Sequence, residues 1–205
     1  ACASVGWFLL FRHFFNEKPP FDYPHGPLLP EKIAQARFLA CVSHFGRAQA
    51  MRVSPTEHWP KLFIARCGVD LDRLPDRKPH GGGRLQLIQV ARLSPEKGQM
   101  GLIEAFAAAV ARGLDAELVI VGDGPDQPRI AAKIAALGLG DRVSLPGRMP
   151  EAQALAFTAS ADIFVLSSFM EGLPVVLMEA LAMSVPVIAP AIAGVPELVE
   201  HQVSG

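Results

Sequence analysis

Two glutamates and the segment between them have residue types and spacing suited to ligand binding. Glu171 and Glu179 flank an apolar run that begins Gly172-Leu173-Pro174. Pro174 favours a helix beginning at this point, because proline suits the first helical turn. The unpaired N–H groups of a helix start attract an anion such as phosphate. A carboxylate inside an apolar helix needs a partner, so a sugar or ribose hydroxyl is one interpretation of Glu179, and a nearby arginine or water is the other.

Two cations lie in another loop, between a predicted strand and a predicted helix. Arg92 and Lys97 belong to the sequence Ala-Arg-Leu-Ser-Pro-Glu-Lys-Gly. An arginine binds phosphate oxygens with a planar fork and a lysine adds a point charge. Together they could offset the charge of a diphosphate without a metal ion. The alternative is an ordinary solvated turn.

Two glycine-containing loops are weaker candidates. Gly122 lies in Val-Gly-Asp-Gly-Pro, but Gln127 stands where a dinucleotide-binding fingerprint needs its third glycine, which argues against NAD. A tight turn that lets the backbone approach a ligand remains open. Gly147 and Arg148 could present backbone groups to the edge of a base, or they could form a simple Pro-Gly turn.

Around these loops, predicted strands alternate with predicted helices of about ten residues, as in βαβ units. This pattern predicts an α/β fold with a doubly wound parallel sheet, in which ligands lie beyond the carboxyl ends of the strands. The predicted strands are 84–91, 116–121, 143–145, 161–166 and 185–188, and the predicted helices are 98–112, 127–137, 150–160 and 174–183.

The first part of the chain is organised differently. Several prolines exclude long regular elements from residues 1–30. Two helices, 29–37 and 45–52, and two strands, 38–43 and 61–66, are predicted after them. Residues 72–83 contain two prolines and three consecutive glycines, which is typical of a linker. The predicted boundary therefore lies near residue 80, between segments 1–79 and 80–205.

Composition excludes several classes of protein. The formal net charge of -1 gives no basic excess for nucleic-acid binding. The three cysteines and six histidines have no metal-ligand spacing, so no metal site is predicted and the thiols are expected to be reduced, as in a cytosolic protein. The apolar run at residues 5–11 is too short to span a membrane.

Five segments of the chain, in this order, resemble the retaining GT-B glycosyltransferases of family 4. The matching segments are residues 90–98, 118–125, 143–147, 171–179 and 194–197. The resemblance implies a Rossmann-like C-terminal half of a GT-B enzyme at 80–205, preceded by the end of an N-terminal, acceptor-side domain within 1–79. It also implies that the chain is truncated at both ends, and His13 and His25 do not match the family's acceptor histidine.

The resemblance implies a role for each candidate residue. Arg92 and Lys97 would hold the donor diphosphate, and Glu171 would contact the donor sugar near the reacting carbon. The other donor-binding positions are those that would contact ribose, phosphates or base: Gly122, Gly147, Arg148, Gly172, Leu173 and Glu179.

The implied reaction transfers a sugar from a UDP- or GDP-sugar to a hydroxyl acceptor with retention, without a metal or cofactor. The acceptor would be a carbohydrate or a lipid-linked sugar in polysaccharide or glycolipid biosynthesis. The expected location is the cytoplasm, with peripheral association at the inner face of the membrane in the full-length protein. A non-catalytic nucleotide-sugar-binding fragment and a GT-B sugar-nucleotide epimerase are the alternatives.

Overall fold

The computed structural model describes residues 29–205, which form two compact units divided between Cys67 and Gly68. Predictions that concern residues 1–28, including the proline-rich start, the apolar run at 5–11, and His13 and His25, lie outside the described residues.

The first unit contains two helices and a two-stranded parallel sheet. Its elements are α1 (Leu29–Gln35), β1 (Leu39–Cys41), α2 (His44–Arg52) and β2 (Leu62–Ile64). Leu39 is in register with Leu62. The buried hydroxyl of Ser43 accepts a hydrogen bond from the Gly46 amide at 3.0 Å and so caps the start of α2. All four predicted elements are confirmed: α1, β1 and β2 are shorter than predicted, and α2 begins one residue earlier, at His44.

The second unit is a five-stranded parallel sheet covered by helices. The strands are β3 (Leu85–Val90), β4 (Ala116–Val121), β5 (Val143–Gly147), β6 (Ile163–Val165) and β7 (Val187–Ile188). The helices are α3 (Gln99–Ala111), α4 (Gln127–Ala136), α5 (Glu151–Ser160) and α6 (Val175–Ala182). The strand order is β5-β4-β3-β6-β7, and every pairing is parallel. This is a Rossmann-like sheet, as the sequence predicts.

The sheet has an apolar core on each face, which explains its nearly continuous apolar strands. Successive side chains of a strand point to opposite faces. Accordingly, Leu118 and Ile120 pack with Ile130 of α4, whereas Val119 and Val121 pack with the cluster that contains Leu177 of α6.

The order of the strands reverses at β3, which pairs with β4 on one side and with β6 on the other. Chain connections therefore leave β3 and β6 in opposite directions, and a crevice opens beyond their carboxyl ends. The loops at this crevice are residues 91–98 and 166–174. They contain Arg92, Lys97 and Glu171.

The division between the two units falls before the boundary predicted near residue 80. The predicted linker is hydrogen-bonded to the end of α5, because the Lys78 amide donates to Ala159 O at 3.1 Å and the His80 amide to Ser160 O at 2.7 Å. The Arg77 guanidinium donates to Ala161 O at 2.9 Å. These long-range contacts make residues 77–80 part of the second unit.

Candidate functional site

The loop after β3 is folded tightly against the loop after β6. A helical turn at Pro95–Lys97 ends at Gly98, whose φ is +70°. A Cβ atom on Gly98 would lie 2.0 Å from the carbonyl oxygen of Ser167. Only glycine fits both this backbone conformation and this approach. The amide of Phe169 donates to Glu96 O at 2.8 Å and joins the same loops a second time.

The structure brings Lys97 and Glu171 into direct contact. The Lys97 Nζ lies 2.7 Å from Glu171 Oε1, and the two side chains are 24% and 10% exposed. An ion pair shielded to this degree is stronger than one in open water, and removing either partner would leave an uncompensated charge. The crevice therefore contains a carboxylate and an ammonium side by side, contributed by two separate loops.

A polar relay that begins at the buried side chain of Gln89 supports this pair. Gln89 of β3 donates through Nε2 to Ser167 Oγ at 2.7 Å, and Ser167 Oγ donates to the carbonyl oxygen of Lys97 at 2.8 Å. Gln99 donates to the carbonyl oxygen of Arg92 at 2.9 Å. None of these three supporting side chains was predicted from the sequence. A glutamine within the apolar strand Leu-Gln-Leu-Ile-Gln-Val was the signal that could have revealed Gln89.

Arg92 stays apart from the ion pair. Its side chain is exposed and makes no hydrogen bond or ion pair with any residue that the structure describes. Gln99 holds its backbone, so the guanidinium is free to reach a ligand from a fixed point on the loop.

Gly122 and Gly147 join the ends of neighbouring strands. The Gly122 amide donates to Gly147 O at 3.0 Å. A Cβ atom on Gly122 would lie 1.9 Å from Ala91 O, so the close approach here is to the chain itself. Gly147 is the last residue of β5, although the strand was predicted to end at residue 145. Open space lies beside Gly147, and the neighbouring Arg148 is exposed.

The start of α6 has no side-chain cap. Pro174 is the N-cap residue and Val175 the first helical residue, one position later than predicted. Leu173 is buried in the protein, whereas Gly172 is half-buried. The first amides of α6 thus keep donors available at the edge of the crevice.

Glu179, one helical turn further along, is half-buried. Its carboxylate has no hydrogen bond or ion pair within the described part of the chain, so the expected alternative of an arginine partner is not found there. Burial, and secondarily the charge of Glu151, raises the pKa of the Glu179 carboxyl above its ordinary value. An unpaired carboxylate in these surroundings is suited to accept hydrogen bonds from hydroxyl groups.

Within residues 29–205, no group of three or more histidine, cysteine, aspartate or glutamate side chains could hold a metal ion. No helix in that range has the length and apolar character needed to cross a membrane.

Comparison with known proteins identifies the family. Residues 72–205 match the sequence profile described as Glycosyl transferases group 1. This chain belongs to the glycosyl transferases group 1 family. The match covers the second unit almost completely, including both loops of the crevice.

Two relatives and one solved structure are similar to most of this chain. The chain is 37% identical to the colanic acid biosynthesis glycosyltransferase WcaL of Salmonella typhimurium over 167 residues, which cover 78% of this chain and 40% of the relative. It is 39% identical to the amylovoran biosynthesis glycosyltransferase AmsK of Erwinia amylovora over 202 residues, covering 95% of this chain and 47% of the relative. The chain thus spans less than half the length of these relatives.

The solved structure is that of HepE from Anabaena in complex with UDP and glucose. It superposes with a TM-score of 0.72 at 23% identity, covering 85% of this chain and 50% of HepE. The similarity confirms the predicted α/β fold with a parallel sheet, like the C-terminal half of a GT-B glycosyltransferase.

Proposed function

We propose that this group 1 family member forms the donor-binding half of a retaining, family 4 glycosyltransferase. The enzyme would transfer a hexose from a UDP- or GDP-sugar to a hydroxyl acceptor. One observation carries the proposal: Lys97 and Glu171 meet at the strand-order reversal of the sheet, beside the uncapped start of α6. This is where Rossmann-like folds bind phosphorylated ligands.

Lys97, Arg92 and the start of α6 would bind the donor diphosphate. When the bond between the anomeric carbon and the diphosphate breaks, negative charge grows on the departing phosphate oxygen. Fixed positive groups aimed at that oxygen stabilise the transition state. A lysine, an arginine and the positive end of a helix supply this charge without a metal ion.

Glu171 would stabilise the positive charge that develops on the sugar. Its carboxylate, held by Lys97, would lie beside the sugar and accept a hydrogen bond from a sugar hydroxyl. Glu179 would accept hydrogen bonds from the ribose hydroxyls, since no described residue occupies its carboxylate. Gly172 and Leu173 would contribute backbone amides to the phosphates, and Gly147 with Arg148 would lie along the base.

The acceptor in this proposal is a carbohydrate or a lipid-linked sugar. The names of WcaL and AmsK connect those relatives with colanic acid and amylovoran biosynthesis. We therefore propose polysaccharide or glycolipid assembly in the cytoplasm, at the inner face of the membrane. Release of free nucleoside diphosphate only when an acceptor is added would distinguish this enzyme from a non-catalytic binding fragment.

Calorimetric titration with UDP and GDP at low salt tests the donor site. We expect one of the two to bind, and Lys97→Ala or Arg92→Ala to weaken binding about ten- to one-hundredfold, as loss of a charge-assisted contact should. Lys133→Ala is the matched control, because Lys133 pairs with Glu104 on the helical surface. Binding of neither nucleotide, or equal affinity in all four proteins, would refute the proposal.

A further inference from the structure

The central strand β3 carries a glutamine whose side chain is completely buried. Gln89 donates through Nε2 to Ser167 Oγ at 2.7 Å, with a longer contact of 3.4 Å to the carbonyl oxygen of Lys97. Its own Oε1 has no hydrogen-bond partner among the described residues. The amide is therefore used only as a donor, and only toward the two loops of the crevice.

Stability alone does not account for an amide at this position. A buried carbonyl oxygen without a partner is unfavourable, because it has lost water and gained nothing in exchange. An apolar residue of similar shape would avoid that cost and would suit the surrounding apolar strand. The role of Gln89 therefore depends on the groups to which its side-chain N–H donates.

What it holds is the backbone of Lys97. Ser167 passes the hydrogen bond on to the Lys97 carbonyl oxygen at 2.8 Å. The relay crosses from β3 to both crevice loops at the point where Gly98 allows their closest approach. The Lys97 ammonium, on the same residue, reaches Glu171. Motion of this backbone would displace the ammonium from its partner.

We propose that Gln89 is a positioning residue that acts through Ser167 to hold Lys97 where its ammonium can serve the donor diphosphate. The proposal rests on the donor site described above. Gln89 itself touches neither the diphosphate nor the sugar, and its effect on binding passes entirely through Lys97.

A double-mutant cycle tests this coupling, with UDP and GDP as the probes and affinity as the readout. Gln89→Met should weaken binding about three- to tenfold in the wild-type background and much less in the Lys97→Ala background. Gln86→Met is the matched control: Gln86 is also buried in β3, but it donates to Glu117 at 2.7 Å, away from both loops. It should leave affinity unchanged in both backgrounds.

Equal effects of Gln89→Met with and without Lys97 would overturn the proposal, as would unchanged affinity. Amide hydrogen exchange separates this failure from failure of the proposed function. The Phe169 amide, bonded to Glu96 O across the two loops, should exchange faster in Gln89→Met than in Gln86→Met. If the wild-type protein binds neither nucleotide, the proposed function fails. Faster exchange of the Phe169 amide in Gln89→Met than in Gln86→Met would still support the relay. Equal exchange in the two variants would overturn the relay as well.

Discussion

At the scale of single residues, the crevice contains two carboxylates in opposite electrostatic situations. Glu171 has a lysine ammonium 2.7 Å away. Glu179 is half-buried with no described partner, and burial raises its pKa. The charge of Glu171 is thus already compensated in the free protein, whereas the Glu179 carboxylate gains hydrogen bonds only when a ligand that donates them is bound. This contrast is the reason for proposing different roles for the two glutamates.

We predict that Glu179→Gln makes the protein more stable at neutral pH and weakens nucleotide binding. Because the pKa of the Glu179 carboxyl is raised in the folded state, its protonation favours folding. This contribution is fully present below the unfolded pKa of about 4.5, and it is lost as the pH rises through the pKa of the folded state. Removing the charge should raise Tm by roughly 1–3 °C at pH 7.

The measurement is thermal unfolding of both proteins between pH 4 and pH 8. The difference in Tm should shrink toward zero at the acid end, where wild-type Glu179 becomes protonated. A Tm difference that does not change with pH would contradict the interpretation of Glu179 as an unpaired, half-buried charge.

At the scale of elements, the crevice depends on two loops that approach each other closely. The short turn at Pro95–Lys97 can lie against the loop after β6 because residue 98 has no side chain. A larger residue there would separate the loops, and Lys97 would move away from Glu171.

We therefore predict that Gly98→Ala destabilises the protein by about 2–4 kcal/mol, from backbone strain and steric overlap together. Gly138→Ala is the control, because Gly138 has nearly the same positive φ, +65°, but open space where its Cβ would lie. It should cost only the strain, about 1–2 kcal/mol. Urea unfolding measures both values, and equal losses would show that contact with Ser167 is unimportant.

The elements themselves were largely predictable, whereas their contacts were not. Alternation of apolar strands and helices of about ten residues depends on local sequence, so the strands and helices of both units are confirmed within a few residues. The bond between Gln89 and Ser167 joins residues 78 positions apart. Neither local propensity nor periodicity carries information about such a pair. The same reason explains why residues 77–80, predicted to be a linker, pack on α5.

At the scale of the whole molecule, the family match covers the second unit, and the strand-order reversal opens a crevice at the carboxyl edge of its sheet. Residues 72–205 match the family, and the candidate residues for diphosphate and sugar all follow strands at that edge. Arg92 and Lys97 follow β3, and Glu171 follows β6. Rossmann-like sheets bind ligands at this edge because the helix starts and the diverging loops both face it.

Backbone amide chemical shifts of the whole chain, recorded as UDP or GDP is added, would locate the nucleotide on the sheet. We expect changes at Gly98, Gly172 and Val175, beyond the carboxyl ends of β3 and β6. We expect no change at Leu85 and Ala116, which begin β3 and β4 at the opposite edge. Changes confined to that opposite edge, or none with either nucleotide, would contradict the assignment of this crevice as the donor site.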